Sequence, residues 1–276
     1  MRGSLAAELL KLRKRPAVWV LGGVWLAMLL TFGYLLPYFS SPDSTVGPGA
    51  SPLAELLPGN LVANTVGGYA LFGGALVMIL GALVAGSEYG WGSLKTVLTQ
   101  RPGRLAVFGG ALAALGAILL AVVLVSFAVS AGASATLAAA EGLPIQWPSV
   151  ADLVQGIAAG WLVLGMWCLF GLLLGTLTRG TALAIGLGLV WALVVENLVR
   201  ASANALEWLD AVQRVLPGVN AGSVVAALGA RGEGDGDGTP GVAAIVSGTQ
   251  GALTVTALLV GFAAAAALLM HRRDVA

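Results

Sequence analysis

LAVFGGALAALGAILLAVVLVSFAVSAGASATLA, residues 105–138, runs from end to end without a charged side chain. About 20 apolar residues suffice for a helix to cross roughly 30 Å of hydrocarbon. This stretch is longer than that, so it tilts in a bilayer or projects beyond it. Shorter apolar runs flank it at about 17–39, 63–86, 156–178, 181–199 and 250–270. Together they predict an all-α polytopic membrane protein with six transmembrane helices in a single transmembrane domain over 1–276. The whole chain agrees: 58% of its residues are apolar and 10% charged, against about 25% charged in ordinary soluble domains.

The few charges sort by side. The N-terminus, residues 87–104, the Arg179 turn and the C-terminus hold eleven basic residues: Arg2, Lys11, Arg13, Lys14, Arg15, Lys95, Arg101, Arg104, Arg179, Arg272 and Arg273. The opposite segments hold three, Arg200, Arg214 and Arg231. The positive-inside rule then places both termini in the cytoplasm of a multi-pass cell-membrane protein. The run from Ala17 has full spanning length with no small-residue cleavage site behind it, so it reads as a retained span rather than a signal peptide.

Between the spans the pattern changes. SLAAELLKLRKRP, residues 4–16, sets Leu5, Leu9 and Leu12 on one face before a basic cluster. That predicts an interfacial helix over 3–15 that ends at Pro16. Residues 40–60 are rich in Pro, Gly and Ser and read as loop. Residues 200–249 form the largest external segment. It begins with a stripe at Ala205, Leu206, Leu209, Val212, Val215 and Leu216. PGVN is expected to break that helix, and AGSVVAAL to form a second short one. Apolar but too short to span, these pieces are expected to dip into the outer leaflet as re-entrant helices. The spans are rich in glycine, with Gly67, Gly68, Gly73, Gly74 and Gly81 in the second and the pairs Gly156/Gly160 and Gly171/Gly175 in the fourth. Small residues at that spacing let helices approach closely.

Composition narrows the chemistry. Net charge is +1, which gives no basic face for nucleic acid. Cys168, the lone cysteine, reads as a small buried hydrophobe, and His271, the lone histidine, as part of a basic flank. No catalytic, cofactor-binding or metal-binding residue is expected on this chain. GSLKT, residues 92–96, lacks the glycine before lysine that a phosphate-binding loop needs, because Leu94 stands there. Glu233, Asp235 and Asp237 alternate like the start of a calcium loop, but the position of its bidentate glutamate falls on Ala244. Ionisable groups at membrane depth are costly and usually functional. Glu196 and Asn197, near the outer end of the fifth span, are therefore candidate gate or pathway residues. The competing reading makes them a solvated helix end.

One segment remains: SEYGWGSLKTVLTQRPGR, residues 87–104, between the second and third spans. Positive-inside charge explains its basic residues but not two aromatics in a short loop. Glu88, Gly92, Ser93, Leu94, Lys95, Pro102 and Arg104 give it an acidic residue, Gly-Ser-Leu-Lys, and Pro and Arg before the next span. In this, and in its layout as a whole, the chain resembles the permease subunits of type 2 ATP-binding-cassette exporters, in their compact six-span form. The resemblance implies that residues 87–104 are a coupling helix docking on a cytoplasmic ABC ATPase subunit through Glu88, Tyr89, Trp91, Ser93, Leu94, Lys95, Val97, Leu98 and Arg101. It also implies a second permease copy or related permease as partner, with ATP and Mg held by the ATPase. Membrane lipid surrounds the assembly, and the expected cargo is amphipathic. A membrane scaffold or sensor partner without an ATPase is the alternative.

Overall fold

The structure, a computed structural model, describes residues 2–39, 52–90, 103–203, 206–232 and 238–272. Among them every regular element is helical. The main elements are α1 (Arg2–Lys14), α2 (Pro16–Phe39), α3 (Pro58–Glu88), α4 (Arg104–Ala140), α5 (Val150–Thr178), α6 (Thr181–Ala203), α7 (Glu207–Gln213), α8 (Pro217–Ala227) and α9 (Gly248–Arg272). Six of these described helices, α2 to α6 and α9, are long and apolar enough to cross a membrane.

Local chemistry sets the boundaries. Arg15 is extended and Pro16 opens α2, which separates it from α1. The fifth helix begins at Val150 rather than near residue 156, because Ser149 and Asp152 form a capping box that starts the helix ahead of its apolar stretch. It ends at Arg179, which takes a left-handed φ of 55°, and the chain turns directly into α6. The helix ahead of PGVN ends at Gln213 as expected, and Pro217 opens the next one, in the first turn of α8, where its missing N–H costs nothing.

Three spans carry a π-turn, Thr31–Leu35 in α2, Tyr69–Gly73 in α3 and Trp191–Val195 in α6. Such turns are rare and recur at functional sites.

At the centre stands α5, packed against α3 along most of its length and also touching α4, α6, α8 and α9. Glycines set the distance of the α3–α5 pair. A Cβ added to Gly81 would overlap the Cys168 carbonyl oxygen, and one added to Gly171 would overlap that of Met78. At Gly175 it would stand 2.9 Å from the Ala82 carbonyl oxygen. Backbone therefore touches backbone. Above this contact Trp167 is 1% exposed, lies over Gly74 and donates its indole N–H to the Ala70 carbonyl at 3.0 Å. Gly156 and Gly160 make room for Val62 and the Tyr69 ring. Both small-residue pairs of α5 thus serve packing within the chain.

Protein surrounds α8. Pro217, Val219 to Val225 are buried, with α3, α5 and α9 packed around them. Ser223 Oγ donates to the Ala243 carbonyl at 3.0 Å, so even the polar residues of α8 face protein.

Substitution tests the seam. Gly171→Ala and Gly81→Ala should each destabilise the purified protein by about 1–3 kcal/mol or prevent its folding, as overpacking does. Gly261→Ala, where nothing lies within 4 Å, should leave the thermal transition in detergent unchanged.

Candidate functional site

The N-terminal helix α1, the end of α3, the start of α4 and the α5–α6 turn meet at one end of the bundle. A Cβ at Gly110 would lie 2.8 Å from Ser4 Cβ, and one at Gly86 2.8 Å from the Thr181 backbone nitrogen. Leu12, 2% exposed, faces the core, while Leu5 and Leu9 pack against it. The apolar face of α1 is thus covered largely by protein, α4 above all.

Polar groups tie this end together. Lys11 Nζ lies 2.8 Å from both Glu8 Oε1 and Glu88 Oε1. Arg15 donates to Ser87 Oγ at 2.7 Å and to the Leu83 carbonyl at 3.1 Å, with Glu88 3.9 Å away. Burial alone would lower the Lys11 pKa, but the hydrogen bonds and charges of Glu8 and Glu88 outweigh it and raise it above the ordinary lysine value. Its contribution to stability is then complete below the ordinary lysine pKa and is lost only as pH rises through the raised one. Lys11 therefore stays charged through the physiological range. Its pairing spans 77 positions, so helical periodicity gave no hint of it.

Of the residues expected to dock a partner, Glu88 is described and belongs to this cluster. Past the span Pro58–Glu88, the helical backbone continues through Tyr89 to Gly90. Trp91, Ser93, Leu94, Lys95, Val97, Leu98 and Arg101 lie outside the described residues, as do Glu233, Asp235 and Asp237.

At the other end, Glu196 and Asn197 part company. Asn197 is exposed, donating to the Leu193 carbonyl at 2.9 Å and accepting from Arg200. Glu196 is not a solvated helix end: it is 3% exposed. Its Oε1 accepts from the Trp191 indole N–H at 2.9 Å, and its Oε2 from the Gly218 backbone N–H at 2.7 Å. Gly218 lies in the first turn of α8, whose N-cap, Leu216, supplies no capping side chain. A carboxylate from α6 thus caps α8 and meets the positive end of its dipole. The sequence marked Glu196 through its rarity at that depth but held no sign of the helix it caps.

An all-helical chain with six apolar helices long enough to span defines a polytopic membrane protein. The sequence matches the family described as ABC-2 family transporter protein over residues 4–195, more than two thirds of the chain. The chain belongs to that family and is of the membrane-spanning permease type of ABC transporters. The match ends with the π-turn of α6, just short of Glu196. A search of curated proteins found no match.

Two measurements probe these contacts. In a double-mutant cycle, Lys11→Met and Glu88→Gln should show a coupling of about 0.5–1 kcal/mol in thermal or denaturant unfolding. Glu196→Ala should cost about 1–3 kcal/mol by leaving a buried N–H and an indole unpaired. Glu196→Gln, which keeps one acceptor, should cost less than the alanine change.

Proposed function

We propose that this chain is the permease subunit of an ABC exporter that moves an amphipathic substrate (a drug, peptide antibiotic or lipid-like molecule) out of the cytoplasm, driven by a separate ATPase subunit. Family membership supports this reading, and the observation that carries it furthest is the Glu8–Lys11–Glu88–Arg15 cluster. It binds α1 to the end of α3 at the edge of residues 91–102. Force applied to that segment by a partner would reach both helices at once, whereas an anchoring loop needs no such linkage.

In this reading residues 87–104 are the coupling helix. Trp91, Leu94, Val97 and Leu98 supply apolar anchors for an ATPase groove, Tyr89 and Ser93 add contacts, and Lys95 and Arg101 pair at the rim. Both termini are cytoplasmic and the membrane is a bacterial plasma membrane, as loop charge and layout suggest. ATP and Mg sit on the partner, and nucleotide drives transport by binding one arrangement of the complex more tightly than the other. Two permeases form the pathway. The apolar surfaces left on α2 and α6, with Trp19 67%, Phe32 62%, Leu183 60% and Val194 56% exposed, are available to a second copy and to lipid. Glu196 holds α8 against α6 at the outer end, where it governs how those two helices separate.

Co-purification in mild detergent tests the partner. An ABC ATPase expressed from the neighbouring reading frame should remain bound, and Trp91→Ala combined with Leu94→Asp should release it. Glu88→Gln, which loosens the tie to Lys11, should reduce the substrate-stimulated part of its ATPase rate. If no ATPase is retained, or the double variant retains it undiminished, the scaffold reading replaces the exporter.

A further inference from the structure

A cavity of about 310 Å³ opens between α2, α3 and the loop at Gly238–Pro240, in the half of the bundle away from α1. Small-molecule sites occupy about 300–1,000 Å³ and combine apolar walls with a few polar groups. This cavity does both. Trp25, Phe32 and Phe72 bring aromatic surface, while Asn64 and Thr239 bring neutral polar groups.

Its two helical walls are irregular at the same place. The π-turn Thr31–Leu35 carries Phe32 and Gly33 into the lining from α2, and Tyr69–Gly73 carries Phe72 from α3. A π-turn inserts a residue into the helix and shifts the faces on either side of it, at a cost that natural helices bear mostly at functional sites. Two that wall one cavity are a second observation independent of its volume. Trp25 is held from behind, its indole N–H donating to Ser126 Oγ at 2.8 Å and its ring 5.3 Å from that of Tyr69. Trp25 is therefore fixed before any ligand arrives.

We propose that this cavity binds the alkyl or aryl body of an amphipathic molecule whose polar head is uncharged where it meets Asn64 and Thr239. Among the described residues no charged side chain lines it, and an unpaired charge placed there would forfeit its hydration. A bilayer lipid and a free amphipathic solute share this chemistry. As a station on a transport route the cavity rests on the exporter reading; as a binding site it does not, and it is measured without ATPase or transport.

Photolabelling tests it on the full chain in nanodiscs with two probes. One is a phosphatidylcholine carrying a diazirine at the end of an acyl chain, the other trifluoromethyl-diazirinyl benzyl alcohol. Labelled residues are mapped by mass spectrometry, with exposed Leu193 on α6 reporting background labelling by bulk lipid. Phe72, less exposed than Leu193 (37% against 46%), should be labelled above that background. In Gly33→Leu, where a Cβ meets only Leu29 at 3.9 Å and the side chain can grow into the cavity, labelling at Phe72 should fall about tenfold. Gly23→Leu, at an open position on the same helix, should behave as wild type. If Gly33→Leu does not fold, Met28→Trp fills the space from another point of the lining, and in the unaltered protein excess unlabelled alcohol should displace the alcohol probe. Labelling by the lipid probe alone identifies an acyl-chain site, and by the alcohol alone a solute site; either supports the proposal. Cavity labelling no higher than at Leu193, or unchanged in a folded filling variant, overturns it. Because no ATPase is present, that failure leaves the exporter reading standing.

Discussion

Two central helices meet backbone against backbone, where Gly81 of α3 meets the Cys168 carbonyl and Gly171 of α5 meets that of Met78. Lipid is as apolar as leucine and gives helices no hydrophobic reason to associate, so packing quality must hold them together. Two glycine-lined faces remove the side-chain layer between the helices and multiply dispersion contacts along a long seam. Much else follows from that pair. Trp167 has a fixed floor in Gly74 and a fixed acceptor in Ala70. Around the same axis, α4, α6, α8 and α9 find their places.

A chain this apolar uses its polar groups sparingly and in pairs. At one end Lys11, Glu8, Arg15 and Glu88 join α1 to α3; at the other Glu196 joins α6 to α8. Both contacts bridge helices distant in sequence, at points where a relative movement would have to break or carry a charge. The middle of the bundle is held differently, by glycine, aromatic rings and the hydroxyls of serine and threonine bonded to their own helices. The centre is thus held by close packing, and the two ends by polar ties between helices. The π-turns of α2, α3 and α6 are departures from that regularity, and two of them fall where space has been left open.

Much of the architecture could be read from residue order. Six spans follow from apolar length, the pause before α2 from Pro16, and the compact glycine faces from their spacing. What could not be read has a common cause. The early start of α5 depends on a capping box that hydropathy ignores. The breadth of α8's burial depends on neighbours far along the chain, and a short apolar helix looks the same in sequence whether lipid or protein covers it. Glu196 was noticeable because a carboxylate at that depth is expensive, yet its partner Gly218 has no side chain to advertise the contact.

Sequence alone thus determined that this is a polytopic helical membrane protein, where its helices run and which segments carry positive charge, because length, hydropathy and proline act locally. Only tertiary structure decided which glycine faces meet, that Lys11 answers Glu88, that Glu196 caps α8, and that an aromatic-lined space stays open between α2 and α3. Those features depend on backbone approach and on side chains converging from separate helices, and neither leaves a periodic trace in the order of residues.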